Sequence, residues 1–375
     1  LPKTIIRGVM VMIKQFKILF LGFLSGYGGA EKSMIETANG LSKLGNDVTI
    51  ISFKDNKVVY DINQDVKYIF IPEHKGKKIR KLFNRFLDLK KKLAEIKPDI
   101  VISFWLQPAI YSAILSKFIG FKSIYSERGD PTDEEYKGIL EVSRYIFFKL
   151  IDGFVFQSRA AKECFPKSIQ NRGVVINNPV YIKYNDYDIP QHRNKVIVNV
   201  GRLHNQKNQQ LLINAFAEIS NIFPEYILEI YGEGELKRVL EKQIEKLNLQ
   251  NRIMLKGTTK HLFDEIVNAS LFVLSSDYEG MPNALMEAMA LGVPCISTDY
   301  KPGGVRELIT YGKNGLFIKR GSVKDLAQAM IYMLENNNKA EMMGREAKKI
   351  CNTHSVDTII RMWEKYILRV LERNF

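Results

Sequence analysis

Two carboxylates bracket the stretch Glu279-Gly-Met-Pro-Asn-Ala-Leu-Met-Glu287, and this spacing is the most chemically specific feature of the chain. An apolar run, 271–274, precedes it, and a helix-like run follows and ends at Gly292-Val293-Pro294. A strand, a tight loop and a helix start form an anion site, because the first N–H groups of a helix have no internal partner and point outward. A phosphate bound there would repel Glu279, so the carboxylate needs other work, and accepting hydrogen bonds from sugar hydroxyls is the candidate. Glu287, inside the following helix, is placed for a second hydroxyl group such as a ribose. The plainer alternative makes Glu279 a solvated loop residue and Glu287 a helix charge.

A second cluster, Gly201-Arg202-Leu-His-Asn-Gln-Lys207, closes the apolar run 196–200. Gly201 gives a tight strand exit. Arg202 as a bidentate fork and Lys207 as a point charge suit the two phosphates of a diphosphate. A third, Gly26-Tyr27-Gly28-Gly29-Ala30-Glu31, follows the first strand-like run and opens a helix. Gly28-Gly29 lets a ligand approach the backbone closely. It is neither G-x-G-x-x-G nor a P-loop, and a plain strand-to-helix turn is the competing reading. Ser126-Glu127-Arg128-Gly129-Asp130-Pro131 ends another strand, and a salt-bridged loop is its competing reading.

Positioning these loops requires a regular frame. Strand-like runs at 17–23, 47–53, 66–71, 100–104, 122–126 and 153–157 alternate with helical runs at 31–44, 77–96, 109–119 and 133–150. A second set of strands begins at 196–200 and continues at 227–231, 253–255, 271–274, 295–297 and 316–318. Such alternation implies parallel sheets covered on both faces, hence an α/β protein. The polar stretch 177–194 reads as the linker between two Rossmann-like domains, 1–184 and 185–355. Ligands of open α/β sheets bind beyond the carboxyl ends of the strands, so the sequence predicts a deep cleft between facing domains. The last helix, 356–371, carries a stripe of Ile360, Trp363, Ile367 and Val370/Leu371, and 356–375 is expected to cross back to the first domain.

With 375 residues, 46% apolar and 26% charged, the chain suits two globular domains. Its three cysteines are far apart and odd in number, which suits a reducing cytosol and excludes a disulfide framework. No metal-ligand spacing is present, so neither a metal nor a cofactor is expected. No apolar run approaches the roughly 18 residues of a membrane span. The chain opens at Leu1, and residues 1–9 read as an added segment with Met10 or Met12 as the natural start. Of the net charge of +14, residues 1–190 carry +10 (30 basic, 20 acidic). Residues 75–97 alone hold ten basic and two acidic residues. There Ile79, Leu82, Phe83, Phe86, Leu89 and Leu93 recur at helical spacing, a stripe expected to face the core. Lys77, Lys78, Arg80, Lys81 and Arg85 are expected on the outer face against an anionic membrane surface. No nucleic-acid motif accompanies the charge, so nucleic acid is the lesser reading.

Together these residues resemble the family-four retaining glycosyltransferases of the GT-B fold, over nearly the whole chain. The carriers are Gly28-Gly29-Ala30-Glu31, Gly201-Arg202 with Lys207, Tyr231-Gly232-Glu233-Gly234, and Glu279 to Glu287 followed by Gly292-Val293-Pro294. Ser126-Glu127-Arg128 with Gly129-Asp130-Pro131 is similar to members that build capsule, exopolysaccharide or lipid-linked oligosaccharide, with Gly129 where Asn is usual. The resemblance implies transfer of a hexose or N-acetylhexosamine from a UDP-sugar to a polyprenyl-diphosphate-linked saccharide, without metal, at the cytoplasmic face of the membrane. It implies that Arg202 and Lys207 hold the diphosphate, Glu279 the sugar hydroxyls, and the Gly280, Met281, Pro282 and Asn283 backbone the phosphate and ring. Glu287 would hold the ribose, and Lys256, Gly257 and Thr258 would lie near the base. Gly28 and Gly29 would touch the diphosphate, and Glu31, Glu127 and Arg128 would face the acceptor. Two other readings remain: a phosphorylase of the same fold, using pyridoxal phosphate on a lysine, and a basic membrane- or nucleic-acid-binding protein without catalysis.

Overall fold

The computed structural model describes residues 3–6, 9–12, 15–24, 26, 28–54, 58, 60–129, 131, 139–301 and 304–372, the side chains of 3–6, 9–12 and 139–143 excepted. The chain divides into two compact units. The first comprises Leu1–Gln157, Lys162–Asn177 and Ile359–Phe375, and the second Ser158–Ala161 with Asn178–Thr358.

The first unit opens with an antiparallel pair, β1 (Lys3–Ile6) and β2 (Val9–Met12). Its sheet is formed by β3 (Lys17–Gly22), β4 (Asp47–Ser52), β5 (Val66–Phe70), β6 (Ile100–Phe104), β7 (Lys122–Ser126), β8 (Gly153–Phe156) and β9 (Gly173–Val175). All neighbours pair in parallel, in the order β5-β4-β3-β6-β7-β8-β9. The helices are α1 (Gly29–Lys43), α2 (Lys78–Ile96), α3 (Leu106–Ile119), α4 (Ile139–Phe148) and two short pieces, α5 (Arg159–Glu163), whose residues up to Ala161 belong to the second unit, and α6 (Lys167–Gln170). Ile18 to Leu21 are all buried, the unbroken apolar run expected of a strand covered on both faces. The alternation in the sequence missed β9 because three residues, Gly-Val-Val, carry too little periodicity. Of the helix expected over 133–150, residues 133–138 lie outside the described residues.

The second unit repeats the plan with β10 (Asn194–Val200), α7 (Gln209–Ile219), β11 (Ile227–Tyr231), α8 (Lys237–Lys246), β12 (Ile253–Gly257) and α9 (Leu262–Ile266). It continues with β13 (Ala269–Leu274), α10 (Asn283–Ala290), β14 (Cys295–Asp299), α11 (Val305–Leu308) and β15 (Leu316–Lys319). Three helices follow, α12 (Val323–Glu335), α13 (Asn337–Ala347) and α14 (Ile350–Thr353). The parallel order is β12-β11-β10-β13-β14-β15. In both units the strand order reverses beside the first strand, at β3/β6 and at β10/β13, and a ligand crevice opens where two neighbouring connections leave in opposite directions.

Arg193, near the end of the polar stretch 177–194, is fastened within the second unit. Its Nη1 donates to the Val267 and Ala269 carbonyls at 3.0 and 3.1 Å, its Nη2 to the Gly292 carbonyl at 2.7 Å, and its Nε to Glu341 at 2.5 Å. The α2 stripe does not face the core along its length, since Ile79 and Phe83 are 83% and 59% exposed while Leu89 and Leu93 are buried. Arg85 in turn is buried rather than on the outer face. It precedes Leu89 and Leu93 at four-residue spacing and so shares their inward side, and its guanidinium lies over the Phe53 ring at 5.2 Å. The last helix, α15 (Val356–Glu372), packs on the first unit from Ile359 onward. There Tyr366 accepts from Phe154 N–H at 2.8 Å, and the expected stripe Ile360, Trp363, Ile367 and Val370 is buried.

Candidate active site

The second unit's switch point collects the acidic and basic residues picked out above. The loop after β10 runs from Gly201 to Asn208, and the loop after β13 from Ser275 to Pro282. Backbone bonds splice them: Asp277 N–H donates to Gln206 O at 2.8 Å, and Ser275 Oγ donates to Lys207 O at 2.8 Å. Asn208 caps α7 by accepting from Leu211 N–H at 3.2 Å, and its amide donates to both Asp277 oxygens at 3.2 and 3.1 Å.

Between the spliced loops Lys207 Nζ forms an ion pair with Glu279 Oε1, with only 16% and 8% of the two side chains exposed. Glu279 Oε1 also accepts from Ser276 Oγ at 2.7 Å, and Oε2 from Gln206 Nε2 at 3.4 Å. A Cβ at residue 201 would meet the Lys207 stem at 3.2 Å, so Gly201 makes room for that stem to lie across the backbone. An ammonium has three N–H donors, so Lys207 can hold Glu279 and still present a proton to an anion. Arg202 is exposed and makes no side-chain hydrogen bond or ion pair among the described residues. Its carbonyl is held by Gln209 Nε2 at 3.0 Å, which fixes the backbone from which the guanidinium projects.

Pro282 stands at the N-cap of α10, and Asn283 Oδ1 accepts from Asn178 Nδ2 at 2.7 Å. Gly280 to Asn283 therefore lead into a helix start carrying no acidic residue in its first turn. Glu287 sits half-buried inside α10. The Lys256-Gly257-Thr258 turn adjoins the Gly232 turn through a Gly232 N–H to Gly257 O bond of 2.7 Å, and Lys256 pairs with Glu229 at 3.3 Å. Tyr300 is buried with its hydroxyl lacking a partner among the described residues. Burial, then the charges of Glu279 and Asp299, pushes that phenol well above its ordinary pKa and keeps it a neutral donor.

In the first unit Gly28 precedes α1, and its N–H donates to Glu31 Oε2 at 2.9 Å. Gly29 is the first helical residue. Tyr27 and Asp130 lie outside the described residues. Glu127 is buried, with Oε1 accepting from the N–H groups of Arg128 (3.1 Å) and Gly129 (3.2 Å) and Oε2 from Tyr125 Oη (2.8 Å). Burial raises its pKa in spite of those bonds. Arg128 lies over the Phe104 and Trp363 rings at 4.7 and 5.6 Å, and its Nε donates to Ser126 Oγ at 2.8 Å. Glu127 and Arg128 therefore shape their own loop, an internal use that the expectation of acceptor-facing side chains did not include.

Sequence reasoning missed Ser276, Gln206 and Asp277. Each lies within a few residues of a chosen position, but Ser, Gln and Asp are common in loops and no spacing marks them. It also missed Trp105 of the first unit, a single aromatic next to a strand end.

Comparison with known proteins identifies the family. Residues 187–350 match the family described as "Glycosyl transferases group 1", and residues 27–184 match "Glycosyltransferase Family 4". An uncharacterized glycosyltransferase of Methanocaldococcus jannaschii is 31% identical over 342 residues, covering 76% of this chain and 83% of that one. An N-acetyl-D-galactosaminyltransferase of Campylobacter jejuni, named for an undecaprenol-diphosphate-linked saccharide, is 26% identical over 95% of this chain and 99% of its own. The crystal structure of Anabaena HepE with UDP and glucose superposes with a TM-score of 0.82 at 21% identity, over 95% of this chain and all of that one.

Proposed function

The chain is a family-four glycosyltransferase of the GT-B fold, and from that premise we propose that it moves a hexose or N-acetylhexosamine from a UDP-sugar to a lipid-linked glycan, with retention at the anomeric carbon. The observation that carries the reading is the buried Lys207–Glu279 pair at the β10/β13 switch point, beside Arg202 and the start of α10. In transfer, the bond between the anomeric carbon and the diphosphate oxygen breaks, and charge develops on the leaving phosphate. Arg202, Lys207 and the α10 N–H groups are assigned to that charge, and Glu279 both steers Lys207 and accepts from the sugar's hydroxyls. The acceptor hydroxyl attacks from the face being vacated and passes its proton to the departing phosphate oxygen. Glu287 is assigned to the ribose and the Lys256–Thr258 turn to the base. No step in this scheme draws on a metal.

The lipid-linked acceptor is supported by the name of the Campylobacter relative and by the outer face of α2. There Ile79, Phe83 and Leu87 are exposed, 83%, 59% and 44%, among exposed Lys77, Lys78 and Arg80, with half-buried Lys81 adding to the charge. An apolar ridge bordered by cations suits the interface of an anionic bilayer. No helix among the described residues is long and apolar enough to cross a membrane.

The test is calorimetric titration with UDP, then turnover with UDP-hexoses and UDP-N-acetylhexosamines in the presence of a chelator. Saturable UDP binding and chelator-resistant transfer with a retained anomer are expected. Absence of UDP binding at millimolar concentration refutes the donor assignment. An inverted product refutes retention, and loss of activity restored by Mg²⁺ refutes the metal-free scheme.

A further inference from the structure

We propose that the first unit holds a built subsite for one neutral sugar ring of the acceptor, with Trp105 as its stacking platform and Gln107 as its hydrogen-bonding wall. This rests on the reading of the first unit as the acceptor half. A cavity of about 590 Å³ lies at the carboxyl ends of the strands, lined in part by Phe23, Phe53, Trp105, Glu31, Arg85 and Gln107. Phe23 follows β3 and Trp105 follows β6, so the cavity occupies this unit's own switch point, where open α/β sheets bind ligands.

Trp105 carries the argument. Its backbone has φ +70° and ψ 153°, a conformation that side-chain-bearing residues rarely adopt and that costs about 1–3 kcal/mol. The neighbours support it: the indole meets the Phe23 ring edge-on at 5.6 Å, and a Cβ at Gly22 would lie 2.4 Å from its ring. A strained backbone, an aromatic brace and a glycine clearing hold one half-buried indole at the cavity wall.

The polar groups select the ligand. Arg85 is 8% exposed, its Nη2 donates to the Phe53 carbonyl at 3.4 Å and its guanidinium lies over the Phe53 ring, so it supplies a fixed positive charge at the wall. Gln107 Nε2 is used by Tyr111 Oη at 3.0 Å, which leaves its carbonyl side to accept. Glu31 and Glu73 line the same cavity as Lys54 and Arg85, two carboxylates against two cations. That balance disfavours a phosphate and favours a neutral group bearing both donors and acceptors. A pyranose has such hydroxyls and an apolar C–H face whose partial positive charge suits the negative face of an indole.

Saturation-transfer NMR on the full chain tests this with methyl α-glycosides of glucose, galactose, N-acetylglucosamine and N-acetylgalactosamine, with UDP followed in the same tubes. Transfer to the ring C–H protons of at least one glycoside is expected, weakened roughly tenfold in Trp105→Ala and less in Trp105→Phe, with UDP binding unchanged. UDP binding without any glycoside signal overturns the subsite and leaves the donor reading standing. Glycoside binding without UDP overturns the donor reading and leaves the subsite. Glycoside signals unchanged in Trp105→Ala, or competed away by inorganic pyrophosphate, overturn it too. If Trp105→Ala does not fold, Gln107→Leu decides: a weakened glycoside signal supports the subsite and an unchanged one refutes it.

Discussion

Replacing Lys207 with Met asks how much of the second unit's stability sits in one ion pair. The change keeps most of the stem that lies across Gly201 and deletes the charge. Glu279, 8% exposed at its side chain, is left with Ser276 Oγ at 2.7 Å and the long Gln206 contact at 3.4 Å. Removing one partner of a buried pair costs about 3–5 kcal/mol, because the survivor stays buried and uncompensated. For a unit of this size, 3 kcal/mol lowers Tm by roughly 6–12 °C. Glu279→Gln added to Lys207→Met removes the stranded charge while Ser276 keeps an oxygen to donate to, and most of the loss should return. Urea unfolding of wild type, both single variants and the double variant closes the cycle. A coupling of about 2 kcal/mol or more at pH 7 is expected. Additive singles would show that the contact is not a buried charge pair in solution.

Other consequences are direct. Arg202 is exposed with no side-chain partner among the described residues, so Arg202→Ala should leave Tm within about a degree or two while cutting kcat by roughly 10²–10³; near-normal turnover removes it from the site. Changing Lys77, Lys78, Arg80 and Lys81 to Gln should weaken sedimentation with anionic vesicles by up to about 4 kcal/mol, and Phe83→Ser should weaken it further; unchanged sedimentation returns α2 to an ordinary surface helix. Burial holds Glu127 above the ordinary carboxyl value, so its contribution to stability is complete below about pH 4.5 and is lost as pH rises through the raised value. The Tm of Glu127→Gln minus that of wild type should then climb from pH 4 to pH 8, and a flat difference refutes the assignment.

The frame was legible because its physics is local. Unbroken apolar runs such as Ile18–Leu21 have no polar face to offer water, so their number and spacing announce buried parallel strands. The loops were legible where a rare combination stands at a strand end, as with Gly201-Arg202 and the stretch from Glu279 to Glu287. Contacts between distant loops were not. Lys207 and Glu279 are 72 residues apart, and each was assigned to a ligand without the other. The α2 misreading has the same origin. A helical repeat of apolar residues states that one face is apolar without stating what covers it. Ile79 and Phe83 are left uncovered while Arg85 takes a place among the buried residues. Trp105 could not have been singled out, since its distinction is a backbone angle.

One topology here serves two electrostatic designs. Both sheets reverse their order beside the first strand, and both place chemistry at the strand ends there. At β10/β13 Glu279 is paired by Lys207 and Asp277 is engaged by Asn208, while exposed Arg202 stands beside them with a helix start that carries no acidic residue in its first turn. At β3/β6 the charges cancel, and aromatic rings stand beside the start of α3, whose N-cap is Trp105. A leaving diphosphate gains charge as the bond breaks, and fixed positive charge lowers that barrier. A neutral sugar ring keeps its charge throughout, so it is better held by shape, stacking and single hydrogen bonds. Exchanging the two sites' charge signatures therefore makes a sharper test than deleting either. Glu31→Gln with Glu73→Gln gives the first cavity a net positive charge, and its preference in the glycoside experiment should move toward pyrophosphate. A cavity that keeps its glycoside and still ignores pyrophosphate would mean that shape alone selects the ligand there.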